Sequence, residues 1–246
     1  MWPRRSVTAG RHPVPEDRLP DENPPKLTVS VPRTAPQRSH LPKSVHIPGA
    51  VLLALIWAAW LWHLPSGGDM REWGISALAL EQGRYDTIVL NMFAHAGLLH
   101  IGMNSAVLLG FAGPLVWAMG GVRGDMVGGS LRFFAFYFLS GLAGAAMFVG
   151  LNPAGDIPAV GASGAISGMI GYVSRLGSRG QMLPLMSREL GRRVWDFAKA
   201  NLILIVIFAI PFFLGGTGIM IAWEAHLGGF LFGLVAAGLF TGGRRG

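Results

Sequence analysis

Cysteine is absent from this chain of 246 residues, and charged residues are scarce. Without a thiol, the chain can form no disulfide and can use no thiolate as a nucleophile or metal ligand. Only 13% of its residues are charged, about half the share in ordinary soluble domains, and 51% are hydrophobic. With a mean hydropathy of +0.46, this composition predicts a polytopic membrane protein with one membrane domain.

Acidic residues are also few, and the formal net charge is +7. A basic chain can bind nucleic acid. Here, however, the basic residues are concentrated in the N-terminal segment and in certain loops, as membrane topology requires. We therefore expect the lipid bilayer, and no nucleic acid, as the partner of this chain.

Six apolar stretches approach the roughly 20 residues that cross a bilayer. The predicted spans are residues 46–64, 91–119, 131–149, 157–176, 200–214 and 222–241. Residues 75–80 predict a short interfacial helix in the connection after the first span. The predicted fold is therefore all-α, with six transmembrane helices.

The rest of the chain is polar. Residues 1–46 are rich in proline and arginine and have no apolar period, which predicts a disordered tail. Residues 47–242 form the predicted membrane domain, and residues 243–246 form a basic C-terminal end. With the tail in the cytoplasm, six spans place every clearly basic loop on the cytoplasmic side. Both termini are therefore predicted to be cytoplasmic.

Polar side chains in three apolar spans form the candidate site. His100 and Asn104 lie in the second span, Ser163 in the fourth and His226 in the sixth. Such groups are costly in a membrane, which makes them functional candidates. All three spans run inward from the outer side, and at 1.5 Å per residue we expect Ser163 roughly 9 Å and His226 roughly 6 Å from the outer ends. The four side chains should share one outer layer.

Helical spacing predicts which faces meet. His100 and Asn104 are four residues apart and share one face. The other two faces consist of Ser163, Ser167 and Gly171 on the fourth span and of His226, Gly229 and Gly233 on the sixth. Small residues allow helices to approach closely, so the serine and histidine can come within about 2.6–3.2 Å. Gly228 lies off this line, so a larger side chain there is expected to reduce activity less.

Each residue also has a structural interpretation. GASG is usually a helix-packing segment, and His226 can be an interhelical histidine. His100 and Asn104 can form a structural hydrogen-bonded pair. Asn91 and His95 are better explained as anchors in a loop or at the membrane interface than as catalytic groups.

Two further interpretations are disfavoured. Glu224 is two residues before His226, faces away from it and is favoured near a helix N-terminus for structural reasons. A metal site of His95, His100 and His226 would need a better offset than i, i+5, and no carboxylate ligand or HExxH motif accompanies it. We expect no metal and no other cofactor.

These motifs together resemble the rhomboid intramembrane serine proteases. The matching sequences are FxHxxxxHxxxN from Phe93 to Asn104, GASG from Gly161 to Gly164 and AHLGGFLFG from Ala225 to Gly233. GxSG is a weak signal alone, but the three motifs in this order and spacing are specific. The resemblance covers about residues 47–242.

The resemblance implies a role for each site residue. Ser163 would be the nucleophile and His226 the general base of a dyad without an acid. The Ser163 backbone N–H, His100 and Asn104 would form the oxyanion hole, and His95 would brace the first outer loop. Structural support would come from Gly161, Gly229 and Gly233.

The resemblance also implies a serine endopeptidase that cleaves transmembrane segments of membrane proteins. The protein would lie in a bacterial inner membrane, with the active site open to the extracytoplasmic side. Substrates would pass the fifth span, whose Pro211 and following GGTG at residues 215–218 suit a gate.

Two positions depart from the family pattern. Some relatives carry Trp-Arg shortly before the second span, where this chain has Tyr85, Asp86 and Thr87. Some carry a tyrosine four residues after the serine, stacked on the histidine, where this chain has Ser167. We expect the first loop to be held differently and another group to position His226.

Two other functional classes stay open. A non-catalytic rhomboid-like protein would bind membrane clients, but such proteins typically lack the serine or the histidine, and both are present here. A transporter would favour an inverted repeat, which we do not detect in the two halves of the chain.

Overall fold

The computed structural model describes residues 41–67, 70–178, 180–213 and 221–242. The predicted tail up to residue 40, the GGTG segment and the C-terminal end at 243–246 lie outside these residues. The helices within the described ranges are α1 Ile47–His63, α2 Ala77–Glu81, α3 Thr87–Leu90, α4 Leu98–Met119, α5 Met126–Leu151, α6 Ser163–Arg175, α7 Arg188–Phe213 and α8 Trp223–Phe240. Those same ranges contain no named strand. Of the helices in the described part of the chain, four are long and apolar enough to cross a membrane: α1, α4, α5 and α8.

The shortest of the long helices, α6, occupies the centre of the bundle. It packs against α4, α5 and α8, and nine of its thirteen residues are buried. A helix of this length reaches only about 20 Å, less than the roughly 30 Å of hydrocarbon in a bilayer. Other helices surround α6. Non-helical backbone next to it is tolerated in a membrane because protein groups accept and donate its hydrogen bonds.

The segment before α6 is extended, which corrects the predicted fourth span of 157–176. Ile75 and Ala159 exchange two backbone hydrogen bonds of 2.9 Å, and the Gly161 N–H donates to the Asn91 carbonyl at 2.8 Å. Gly161 has a φ of +128°, a conformation that a helix does not contain and that side chains other than glycine rarely adopt. Ser163 is consequently the first residue of its helix.

Two other predicted spans have different boundaries. The second was expected to begin at residue 91, but α4 begins at Leu98, after Gly97 with its φ of +138°. The fifth was expected over 200–214, but α7 begins at Arg188. Its charged first half is helical, and a 2.6 Å ion pair between Glu189 and Arg193 joins residues one turn apart.

The N-terminal boundary of the membrane domain also needs correction. Lys43–His46 is a turn of 3-10 helix, and Val45 within it is fully buried, although the tail was predicted to extend to residue 46. The packed domain therefore includes these residues. The first, third and sixth predicted spans and the short helix after residue 75 agree with α1, α5, α8 and α2 to within five residues.

Glycines bring α6 and α8 into direct backbone contact. A Cβ at Gly229 would collide with the Gly164 carbonyl, and a Cβ at Gly233 would collide with the Gly168 carbonyl. The predicted small-residue face of α8 is therefore confirmed. On α6 the prediction needs correction, because Gly164 and Gly168 make these contacts in place of the predicted Ser167. Because both pairs keep the same separation along the chain, the two helices run parallel.

Gly228 lies off the face towards α6, as predicted, but it is not an open position. A Cβ there would lie 2.5 Å from the Met147 Cβ and 2.6 Å from the Ala143 carbonyl oxygen, both on α5. The spacing rule identified one close face of α8, but this helix packs against α5 as well as α6. It therefore needs small residues on two faces.

Candidate active site

A serine and a histidine meet where α6 and α8 begin. The Nε2 atom of His226 lies 2.8 Å from the Oγ of Ser163, within the range of a hydrogen bond. His226 is 8% exposed, so its ring is almost fully enclosed by protein. The contact between Ser163 and His226 that the sequence predicted is present.

The backbone places Ser163 beside unpaired donors. As the first residue of α6, it belongs to the turn whose N–H groups have no acceptor within the helix. The N-terminus of a helix also carries a partial positive charge of about half an elementary charge. Negative charge that develops next to Ser163 would therefore be stabilised.

His100 lies on the other side of Ser163. A Cβ at Gly161 would be 2.8 Å from the His100 Nε2 and 3.5 Å from the Ser163 Oγ, so the imidazole and the hydroxyl border the same space. The Ala96 N–H donates to the His100 Nδ1 at 3.3 Å. A neutral imidazole with Nδ1 as acceptor carries its proton on Nε2. His100 thus presents an N–H donor to the site.

Asn104 is the next polar group along α4. Its Nδ2 donates to the backbone carbonyl of His100 at 3.1 Å, one turn away, and the side chain is buried. The two residues share a face, as predicted, and the contact runs through the His100 backbone. An amide nitrogen has two N–H groups, so this bond leaves a second donor.

His95 packs behind His100. Their ring centroids are 5.0 Å apart in an edge-to-face arrangement, and His95 is fully buried. Its Nδ1 lies 3.2 Å from the Phe93 carbonyl oxygen, and its backbone N–H contacts the Met70 sulfur at 3.4 Å. The His95 backbone therefore joins the second-span motif to the outer connection that contains Met70.

The outer connection has its own polar anchors. The Arg84 guanidinium donates to the Glu72 carbonyl at 2.9 Å and to Asp86 at 3.1 Å, and its hydrogen bond lowers the pKa of the Asp86 carboxyl. Thr87 is buried and donates to the Arg84 carbonyl at 2.6 Å. These contacts stand where some relatives have Trp-Arg, so this loop is held by a different set of residues.

Asn91 links that connection to the serine. Its side chain donates to the Thr87 and Ile88 carbonyls at 2.7 and 2.8 Å, and its own carbonyl accepts from Gly161. The anchor interpretation of Asn91 is confirmed. Because Gly161 is two residues before Ser163, Asn91 helps to fix the extended segment that delivers the serine.

Glu224 does not contact His226. Its Oε1 accepts from the Asn152 side chain at 3.3 Å, which joins the start of α8 to the end of α5. Its structural interpretation is confirmed. Among the described residues, no group of three or more His, Cys, Asp and Glu side chains could hold a metal ion.

The sequence interpretation missed Asn201. The Nδ1 of His226 lies 2.6 Å from the Oδ1 of Asn201, in the middle of α7. An asparagine inside an apolar stretch was a usable signal. The predicted start of the fifth span at residue 200 hid it, because that boundary put Asn201 at the inner end of the span.

The site is recessed within the bundle. A Cβ at Gly144 on α5 would lie 3.3 Å from the Gly164 Cα, next to Ser163. Gly144 is seven residues before Leu151, where α5 ends, and seven residues of helix measure about 10 Å. Ser163 is thus about 10 Å below that end of α5.

Comparison with known proteins bears on the whole domain. A family model described as the Rhomboid domain matches residues 82–242, which is more than half of the chain and includes every candidate site residue. No curated protein matches the chain. The chain is therefore an integral membrane protein of the rhomboid family, the family of intramembrane proteases.

Proposed function

We propose that this protein is an intramembrane serine endopeptidase that cleaves transmembrane segments of membrane proteins. The observation that carries the proposal is the 2.8 Å contact between the Ser163 Oγ and the His226 Nε2. A nucleophile within hydrogen-bond reach of a base is the arrangement that covalent peptide hydrolysis needs. The unpaired N–H groups of α6 supply the charge stabilisation beside it.

The reaction would proceed in two stages. His226 takes the Ser163 proton through Nε2 as the Ser163 Oγ attacks the scissile carbonyl. The resulting oxyanion accepts hydrogen bonds from the Ser163 N–H, the His100 Nε2–H and the free N–H of Asn104. His226 then protonates the leaving amine, and the acyl-enzyme forms. A water molecule, deprotonated by His226, cleaves the acyl-enzyme and restores the serine.

The proposed topology has six transmembrane helices, both termini in the cytoplasm and a site open to the extracytoplasmic side. In this topology the two further spans would be α7 and α6, the latter together with the extended segment that precedes it. A serine recessed by about 10 Å can receive water from a cavity above α6. The basic loops favour this orientation, and we place the protein in a bacterial inner membrane.

The proposed substrate is a transmembrane helix that unwinds locally. A peptide bond inside a helix is shielded, so Gly or Pro near the cut should favour cleavage because both weaken helices. Residues 47–242 would form the catalytic domain, with small residues preferred beside the cut and access for the substrate past α7.

Reporter cleavage tests the proposal directly. The purified protein is reconstituted in liposomes with a fluorescent transmembrane peptide that contains a Gly-rich helix, and the products are identified by mass spectrometry. We expect cleavage within the apolar segment and covalent labelling of Ser163 by a fluorophosphonate. Labelling should disappear in His226→Ala. A folded protein that neither cleaves reporters nor reacts would instead be a client-binding relative.

Removal of an oxyanion donor should slow turnover. His100→Ala and Asn104→Ala are each expected to reduce kcat by about 10²–10³-fold, because each donor contributes mainly in the transition state. Labelling of Ser163 should persist in part, since the nucleophile and base are intact. His63→Ala, the same histidine-to-alanine change at the end of α1, is the control. Wild-type kcat in both site variants would make His100 and Asn104 structural.

A further inference from the structure

We infer that Asn201 is a positioning residue that aligns His226 and fixes its tautomer, so that Ser163, His226 and Asn201 form one chain of hydrogen bonds. This inference rests on the proposed function, because it assigns a partner to the base of that same site. It starts from the 2.6 Å contact between the His226 Nδ1 and the Asn201 Oδ1. Asn201 lies on α7, whereas the proposed reacting groups lie on α4, α6 and α8.

A second hydrogen bond fixes which end of the amide faces the histidine. The Asn201 Nδ2 donates to the Phe197 carbonyl at 3.0 Å, one turn earlier in α7. The Oδ1 atom is therefore the end turned towards His226. If the amide were reversed, its oxygen would face the Phe197 carbonyl oxygen and both would be acceptors.

The orientation of the amide determines the tautomer of the imidazole. Because Oδ1 can only accept, the His226 Nδ1 must carry the proton and donate it. A neutral imidazole then has its lone pair on Nε2, which faces the Ser163 Oγ at 2.8 Å. This is the tautomer that can take the serine proton. The opposite tautomer would present an N–H to the hydroxyl and could not act as a base.

Two neighbouring residues that could orient His226 form no hydrogen bond with its ring. Glu224 is bound to Asn152, and the residue one turn after the serine is the small Ser167. An amide also suits a site within the membrane, because a carboxylate there would add a charge whose desolvation is costly. Asn201 orients the ring without that charge.

Asn201 also makes the alignment of His226 depend on α7. One turn below the Asn201–His226 contact, the rings of Phe197 and Phe230 stack with centroids 3.7 Å apart and planes within 5°. From residue 201 to residue 210, every residue of α7 is at least partly exposed. These two side-chain layers therefore hold α7 against α8, and a shift of α7 would lengthen the bond to Nδ1.

Substitution of Asn201 by an apolar side chain of similar size tests the inference. Asn201→Leu in the full chain is expected to lower kcat for the reporter by about 10²-fold, because the base loses its orienting acceptor. KM should stay within about threefold of the wild-type value, since the Asn201 contact acts on the base and not on the bound substrate. Leu202→Ala, an exposed neighbour on α7, is the control and should keep wild-type kcat.

The conservative variant separates alignment from packing. Asn201→Asp keeps an acceptor opposite Nδ1 and should retain much more kcat than Asn201→Leu. Its carboxylate also stabilises the imidazolium, so the acid limb of the pH–rate profile should move to higher pH. His100, the other titratable group that acts on His226, is unchanged in all these proteins. Thermal melting and size-exclusion chromatography check that each variant is folded.

The outcomes distinguish this inference from the proposed function. If Asn201→Leu keeps the wild-type kcat while Ser163→Ala is inactive, the positioning role of Asn201 is wrong and the proposed protease function stands. Equal losses in the Leu and Asp variants with no shift of the acid limb would also overturn the positioning role. If Asn201→Leu does not fold, the Asp variant decides by its pH profile. Cleavage by Ser163→Ala would instead contradict the proposed function.

Discussion

Ser163→Ala is expected to abolish reporter cleavage while the protein still inserts and folds. Loss of the nucleophile in a serine protease lowers kcat on the order of 10⁶-fold, because no other group replaces the covalent step. The structural cost should be small. Alanine is the best helix former, and the change removes one oxygen from the first residue of α6 without adding bulk.

The measurement is product formation per folded molecule, with Ser174→Ala as the matched control. Ser174 lies on the same helix, is buried and is about three turns from the site. The control should cleave at the wild-type rate and bind fluorophosphonate, whereas Ser163→Ala should do neither. Substantial turnover by a folded Ser163→Ala protein would exclude Ser163 as the nucleophile.

The sequence predicted the contact between Ser163 and His226 because two simple signals agreed. Each residue is polar in an apolar stretch, and each continues along its helix into small residues. Gly229 and Gly233 allow α8 to reach the α6 backbone, which places the imidazole over the serine. Helical spacing identified the contact face of α8, but on α6 the close contacts lie one residue further along, at Gly164 and Gly168, than the predicted Ser163 and Ser167.

Boundaries were harder to predict because hydropathy does not report backbone geometry. The apolar stretch at 157–162 resembles helix by composition, yet it pairs with Ile75 and turns at Gly161. In α7 the opposite error occurred, since charged residues before Lys199 suggested a loop but form helix. That error displaced Asn201 from the predicted outer layer and left the partner of His226 unidentified.

Gly229→Val is expected to disrupt the site more than any substitution of a residue with no proposed chemical role. A Cβ at this position would overlap the Gly164 carbonyl oxygen, and backbone of a central helix cannot rotate away as a side chain can. The helices must separate, and a displacement of about 1 Å at a catalytic pair can cost about 10²-fold in rate. Overpacking of this kind also destabilises a core by about 1–3 kcal/mol or more.

The effect of Gly229→Val can be compared with the same substitution at three other glycines of α8. Gly233→Val would meet the Gly168 carbonyl one turn deeper, so it should destabilise the protein with less displacement of His226. Gly228→Val would push against α5, at 2.5 Å from Met147, and should destabilise the bundle as well. A Cβ at Gly238 would have no heavy atom of another described element within 4 Å, so Gly238→Val is the control.

Turnover per folded molecule and the melting temperature separate these cases. We expect Gly229→Val to lose at least about 10²-fold in kcat even when the folded fraction is isolated, because the 2.8 Å Ser163–His226 distance depends on the Gly164–Gly229 contact. Gly228→Val and Gly233→Val should lower the melting temperature more than they lower kcat of the folded fraction. Gly238→Val should change neither. Wild-type kcat in a folded Gly229→Val protein would mean that the close approach of α6 and α8 does not set the geometry of the dyad.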